Sequence, residues 1–349
     1  MSYSIDIYKG KLEPTKNFIA FAAFVSFFPQ LVAGPIERAS NLLPQFLNKR
    51  AFNYAKAVEG CKQMLWGFFK KIVIADNCAI YANMIFDNST EYSGSTLLLG
   101  VFFFAFQIYG DFSGYSDIAI GTSRLFGINL MNNFKYPYFS RDIAEFWRRW
   151  HISLTTWFRD YVYIPLGGSR HGIWITIRNT FIIFLASGFW HGSKWTFIAW
   201  GFIHALYFLP LVLLNKNRIN ITPIAEERFF PSIHELMAIL LTFLVTCLGW
   251  VFFRAETLGH AFSYIRGIFS MTLFSVPDFD GRKSALMTIF LIAIFLLVEW
   301  AGKSDDFAIK RLFSGSHRIF RWGFYYILLF SIIICYVYTV PQEFIYFQF

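Results

Sequence analysis

The chain has 349 residues, 56% hydrophobic and only 15% charged, with 45 phenylalanines and a mean hydropathy of +0.46. Soluble domains average about 25% charged residues, and a soluble fold of this length cannot hide so much apolar surface. A disordered chain, a coiled coil and an ordinary soluble enzyme are therefore excluded, and lipid is the expected solvent. The net charge of +9 sits in short loops between apolar runs, where topology and anionic headgroups explain it better than nucleic acid does.

A bilayer core about 30 Å thick takes about 20 mostly apolar helical residues. Residues 1–14 are polar and read as an interfacial segment rather than a signal peptide. Residues 17–36 are uncharged, but Pro29 and Pro35 break them into a kinked or re-entrant piece. Residues 62–86 read as a shallow or lateral helix. Uncharged runs follow at 92–110, 195–214, 236–253 and 322–340. The run 172–193 carries only Arg178, and 284–298 ends at Glu299, which is read as reaching the interface. The expected fold class is all-α: one polytopic membrane domain over residues 1–349, with about six to eight spans plus re-entrant or interfacial helices. Segments 134–172 and 302–321 are rich in Lys and Arg, so both are placed on the cytoplasmic side. The four spans between them return the chain to one face. The turn after Trp190 and the C-terminus then lie outside. Cys61, Cys78, Cys247 and Cys335 form no CxxC or Cys/His cluster and read as free thiols.

Several polar groups stand out. In residues 141–159, Ile143, Phe146, Trp147, Trp150, Leu154 and Trp157 recur at helical spacing, while Glu145, Arg148, Arg149 and Arg159 fall on the other side. This reads as an interfacial amphipathic helix. His151 lies on its apolar face and needs a partner or a wet cavity. Pro165, Gly167 and Gly168 then make a turn; it matches no phosphate-loop pattern. Asp111 and Asp117 follow an uncharged span. They read as carboxylates that cap a helix break or pair with Arg124 or another arginine, in preference to direct chemistry. His191 sits where two spans meet with almost no loop. It is either an interfacial histidine in a Trp belt or a functional group. His204 lies within a span and packs or hydrogen-bonds between helices. No metal-ligand spacing, HExxH, GxSxG or Walker motif occurs.

Longer stretches go further. FFPQLVAGPI at 27–36, YGDFSGYSD at 109–117, FWRRWHISL at 146–154 running on to YIPLGG at 163–168, and FWHG at 189–192 with Trp195, Trp200 and Gly201 resemble signatures of the membrane-bound O-acyltransferase family. So does EFIYFQF at 343–349. The likeness covers nearly the whole chain in family order. It is closest to the bacterial branch that acetylates alginate and related cell-surface polysaccharides. It implies a multi-pass enzyme of the bacterial cytoplasmic (inner) membrane. An acetyl group would move from cytoplasmic acetyl-CoA to a hydroxyl of an exported polysaccharide, or to an extracytoplasmic acetyltransferase partner protein. No bound cofactor, metal or nucleic acid is implied. D-alanyl transfer to teichoic acid from a carrier protein is the related alternative; a non-enzymatic transporter or an inactive fragment is the unrelated one. Relatives of this branch carry further spans ahead of the segment that begins here at Tyr3, so the chain is expected to lack them.

The resemblance also implies roles. The family's nearly invariant histidine maps to His191, and its second polar position to His151. A hydroxyl is a weak nucleophile, so a general base within about 2.6–3.2 Å must take its proton. A neutral imidazole can do so, and burial among Trp147, Trp150, Trp190 and Trp195 would keep it neutral. His191 is assigned as the base. His151 is assigned to orient the donor or to polarise the thioester carbonyl as a hydrogen-bond donor. Arg148, Arg149 and Arg159 are candidates for the donor's phosphates, with lipid contact or topology as the other reading. Asp111 and Asp117 would shape the chamber. His151 starts from the basic side and His191 from the outer turn. They meet only if the basic segment re-enters or the turn sinks, and a chamber open to both faces would pass the acyl group across without its carrier.

Overall fold

The computed structural model describes residues 2–225, 228–338 and 342–345, and its regular elements are helices. Helices α1 (Ser2–Tyr8), α2 (Phe18–Val25) and α3 (Ala39–Leu47) lead in. Asn17 caps α2, and Pro29 lies in a single 3-10 turn (Phe28–Gln30) after it, so residues 17–36 make a broken piece rather than one straight helix. Helix α4 (Tyr54–Phe68) runs through a wide π-type turn (Phe69–Ala75) into α5 (Asp76–Asp87). The long α6 (Gly94–Leu125) follows, with Ser93 as its N-cap. Next come the short α7 (Ile143–Arg149) and α8 (Ile152–Phe158), then α9 (Ile173–His191) and α10 (Trp195–Leu213). The chain ends through α11 (Ile233–Arg254), α12 (Leu258–Ile268), α13 (Arg282–Ala301) and α14 (Arg318–Tyr338).

Six of these helices, α6, α9, α10, α11, α13 and α14, are long and apolar enough to cross a membrane. The protein is a multi-pass membrane protein. Tyr136 donates through its hydroxyl to the Gly302 carbonyl at 2.9 Å and to that of Asp305 at 3.2 Å. This joins the two basic segments at one end of the molecule, with the spans α9, α10, α11 and α13 between them.

The core forms around α6, whose apolar window is 83% buried. Helix α4 lies against it backbone to backbone: a Cβ added at Gly121 would sit 2.5 Å from the Gly60 carbonyl oxygen. Without large side chains between them, the two helices approach closely. Residues 62–86 are therefore packed into the core and are not a shallow lateral helix, because this glycine seam draws them onto α6.

The charged groups differ from the sequence expectations at three points. The α6 helix continues unbroken past Asp111 and Asp117. Their partners are lysines of the π-type turn, not arginines: Lys71 lies 2.6 Å from Asp111 and Lys70 lies 2.5 Å from Asp117. Gln63 also donates to Asp117 at 2.7 Å. Arg124 instead faces Glu59 at 3.9 Å. Glu299 does not reach an interface. It is 2% exposed and accepts from the Tyr109 hydroxyl at 2.8 and 2.9 Å. Charges at such depth persist because each is matched on the facing helix.

Candidate active site

Residues 143–158 do not form one amphipathic helix. The chain breaks at His151, whose φ of +45° puts a non-glycine residue in the left-handed region. The Thr155 amide donates to the His151 carbonyl at 2.9 Å, so α8 starts at this strained residue. Both short helices are buried along one side, which carries His151 into the protein interior. Glu145 anchors α7. It accepts from Arg149 at 2.6 Å and from Arg141 at 3.0 Å.

His191 reaches the same place from the other direction. It ends α9, and the tight turn at 192–194 folds α10 back along it. The two helices meet through small residues: a Cβ at Gly201 would lie 2.3 Å from the Phe184 carbonyl oxygen, and one at Gly188 2.3 Å from that of Phe197. The close seam positions Trp200 against the His191 ring at 5.2 Å, with Phe253 at 5.1 Å and Trp190 at 4.9 Å.

A cavity of about 500 Å³ joins the two histidines. Thr176, Thr180, Ile183, Phe184, Ser187 and His191 line it as one helical stripe of α9. The ends of that stripe are fifteen residues apart, about 22 Å along a helix. The cavity thus runs nearly the length of a membrane span. At the α9 start it is bordered by Tyr163, Arg148, Arg159 and Arg218. Arg148 is held there by the Asn217 and Asn220 carbonyls, each at 2.9 Å. Arg159 is exposed, beside Asp160. Trp147 and His151 complete the wall, and the Trp190 ring stands 6.0 Å from that of His151. Burial, and to a smaller extent the facing His191, hold the His151 imidazole well below its ordinary pKa.

The other sequence candidates lie elsewhere. Arg149 is engaged by Glu145. Trp195 is 74% exposed at the start of α10. Asp111 and Asp117 belong to the lysine pairs between α4, its π-type turn and α6. His204 packs: its ring lies 5.0 Å from those of Trp147 and Trp200, and it makes no hydrogen bond among the described residues. The 164–172 loop is a turn, since its Leu166 and Gly168 carbonyls accept from Asn179 of α9. Phe253, Arg218 and Asn133 were not singled out from sequence. Nothing in their spacing marks them, because each arrives from a different part of the chain.

The sequence model of the membrane-bound O-acyltransferase family matches residues 12–214, which include both histidines and the whole α9–α10 hairpin. The chain belongs to this family. Among relatives, it is 40% identical over 312 residues to a protein of Pseudomonas putida named probable alginate O-acetylase, covering 89% of this chain and 62% of the relative. It is 42% identical over 273 residues to a peptidoglycan O-acetyltransferase of Helicobacter pylori, covering 78% and 50%. A teichoic acid D-alanyltransferase of Bacillus subtilis is 28% identical over 253 residues, covering 68% and 61%. The chain therefore spans between half and about six-tenths of the length of these membrane-bound O-acyltransferase relatives.

Proposed function

We propose that this chain houses the transfer chamber of an O-acyltransferase of the bacterial inner membrane. It moves an acetyl group from cytoplasmic acetyl-CoA to a hydroxyl of an exported polysaccharide, directly or through an outer partner protein. The observation that carries this reading is the single cavity along α9, with arginines at one end and His151 and His191 in its wall. The names of the relatives at about 40% identity, which concern alginate and peptidoglycan, favour acetyl and a sugar-polymer acceptor.

Arg148, Arg159 and Arg218 suit the donor's phosphates, since they border the open end of the cavity and charge-assisted N–H···O⁻ bonds are strong. The thioester then extends along the apolar wall toward the histidines. The acceptor oxygen attacks the carbonyl carbon while His191 takes its proton. A C–O bond forms and the C–S bond breaks as the tetrahedral intermediate collapses. The leaving thiolate takes the proton back from His191 and departs as free thiol. His151 orients a reactant in the same cavity.

Inside-out vesicles containing the full chain test this directly. Labelled acetyl-CoA supplied to the cytoplasmic face should pass label to acceptor polymer. His191→Ala at equal membrane abundance should lower transfer at least about 100-fold, the lower end of a general base's contribution. Full transfer by that variant removes His191 from the chemistry. Transfer only from carrier-bound D-alanine would replace the donor, and transfer from neither would end the reading.

A further inference from the structure

Asn133 lies in the segment between α6 and α7 and is 1% exposed. It sits in none of the motifs that mark the family resemblance, yet it binds the start of α8 at four points. Its backbone carbonyl accepts from the Ile152 amide at 2.9 Å. Its side-chain Oδ1 accepts from the Ser153 amide at 3.3 Å and the Ser153 hydroxyl at 2.9 Å. The same Oδ1 lies 3.0 Å from Nδ1 of His151. His151 offers α8 no side-chain cap of its own, so Asn133 supplies one from eighteen residues away and holds the strained turn.

These contacts decide a proton position. The Ser153 amide can only donate, so the Asn133 atom facing it must be oxygen. The amide nitrogen then points the other way, 3.2 Å from Oγ of Ser116. An oxygen facing Nδ1 at 3.0 Å requires a hydrogen on that nitrogen. In the neutral imidazole the hydrogen on Nδ1 leaves Nε2 as a lone pair. No described residue bonds to Nε2, and His151 lines the cavity while Asn133 does not.

We propose that Asn133 is a positioning residue that locks His151 in its Nδ1–H tautomer, so that Nε2 enters the cavity as a hydrogen-bond acceptor. The inference rests on reading the cavity as an acyl-transfer site. It narrows that reading, because His151 in this state cannot donate to a thioester carbonyl through Nε2. It accepts instead from a neighbouring hydroxyl of the acceptor sugar, and so positions the acceptor while His191 takes the proton of the attacking hydroxyl. The buried imidazole has little tendency to gain a second proton, which keeps the acceptor available.

The tautomer is directly measurable. Full-length protein carrying ¹⁵N-labelled histidine, in detergent, should give a His151 pair with protonated-type Nδ1 and bare-type Nε2 shifts. His151→Gln assigns the signals by their loss. Asn133→Ala should lose this preference and lower kcat at least about 10-fold with KM little changed. Asn133→Asp should restore both, because a carboxylate accepts from Nδ1 and from Ser153 and leaves the Ser116 hydroxyl free to turn and donate. A protonated Nε2 in the wild type overturns the proposal. So does Asn133→Ala with unaltered shifts and wild-type kcat. If Asn133→Ala does not accumulate, the wild-type and Asn133→Asp spectra decide. Absence of transfer by the wild type would end the acyltransferase reading, while the spectra would still settle the tautomer.

Discussion

His151 and His191 reach one cavity by different physical means. His191 is carried by a regular helix and enclosed by Trp190, Trp200 and Phe253. His151 sits at a backbone break with φ of +45°, a conformation that costs about 1–3 kcal/mol and persists only where its surroundings over-determine it. Burial and the facing His191 lower the His151 pKa from the ordinary 6.5. In the proposed reaction the working form is the neutral imidazole, and a lowered pKa keeps that form present to lower pH. The acid limb of kcat/KM, measured in proteoliposomes with equal pH on both sides, should therefore lie below pH 6.5. An acid limb at or above 6.5 would mean that His151 stays in its protonated range and that the burial argument is wrong. Arg149 does not line the cavity that Arg148 and Arg159 border. Helical spacing placed it with Arg148, but Glu145 lies one turn back and captures it at 2.6 Å.

At the scale of elements, two seams of small residues hold the site. Gly60, Gly67, Gly114 and Gly121 bring α4 onto α6. Gly188 and Gly201 bring α9 onto α10 and fix the face that α9 presents to the cavity. A side chain at Gly201 meets backbone atoms, which cannot step aside. Gly201→Val should lower stability by about 1–3 kcal/mol, the usual cost of overpacking, and should widen the cavity enough to reduce transfer. Thermal unfolding in detergent reads the first effect; an unchanged midpoint would show that the seam has slack. The spans themselves were legible, since runs of uncharged residues need only length and hydropathy to be seen. The break at His151 was not, because an amphipathic period continues across it and the clamp that stabilises it comes from Asn133.

For the whole molecule, the contact of Tyr136 with Gly302 and Asp305 brings both basic segments to one end, and the cavity runs from that end toward the turn after α9. Cysteines introduced one at a time into a background lacking Cys61, Cys78, Cys247 and Cys335 can test this arrangement. Arg170→Cys and Gly315→Cys should react with an impermeant maleimide from the same side of sealed vesicles. Ser193→Cys should react from the opposite side. Labelling of all three from one side would mean that α9 does not cross, and a chamber along α9 could then not link the two faces.

That the chain lives in lipid, where its apolar runs lie, which family it resembles and which two histidines merit attention can all be read along the chain. These are properties of composition, of runs and of local words, and each can be read without knowing what touches what. Tertiary structure alone decided which charges meet. Lys70 and Lys71 were invisible as partners of Asp117 and Asp111 because they lie some forty residues away and face them only once α4 and its π-type turn pack on α6. It likewise decided that His151 turns inward beside His191, with Asn133 behind it. A hydrogen bond between distant residues has no period and leaves no local pattern; it exists only where the fold brings donor to acceptor.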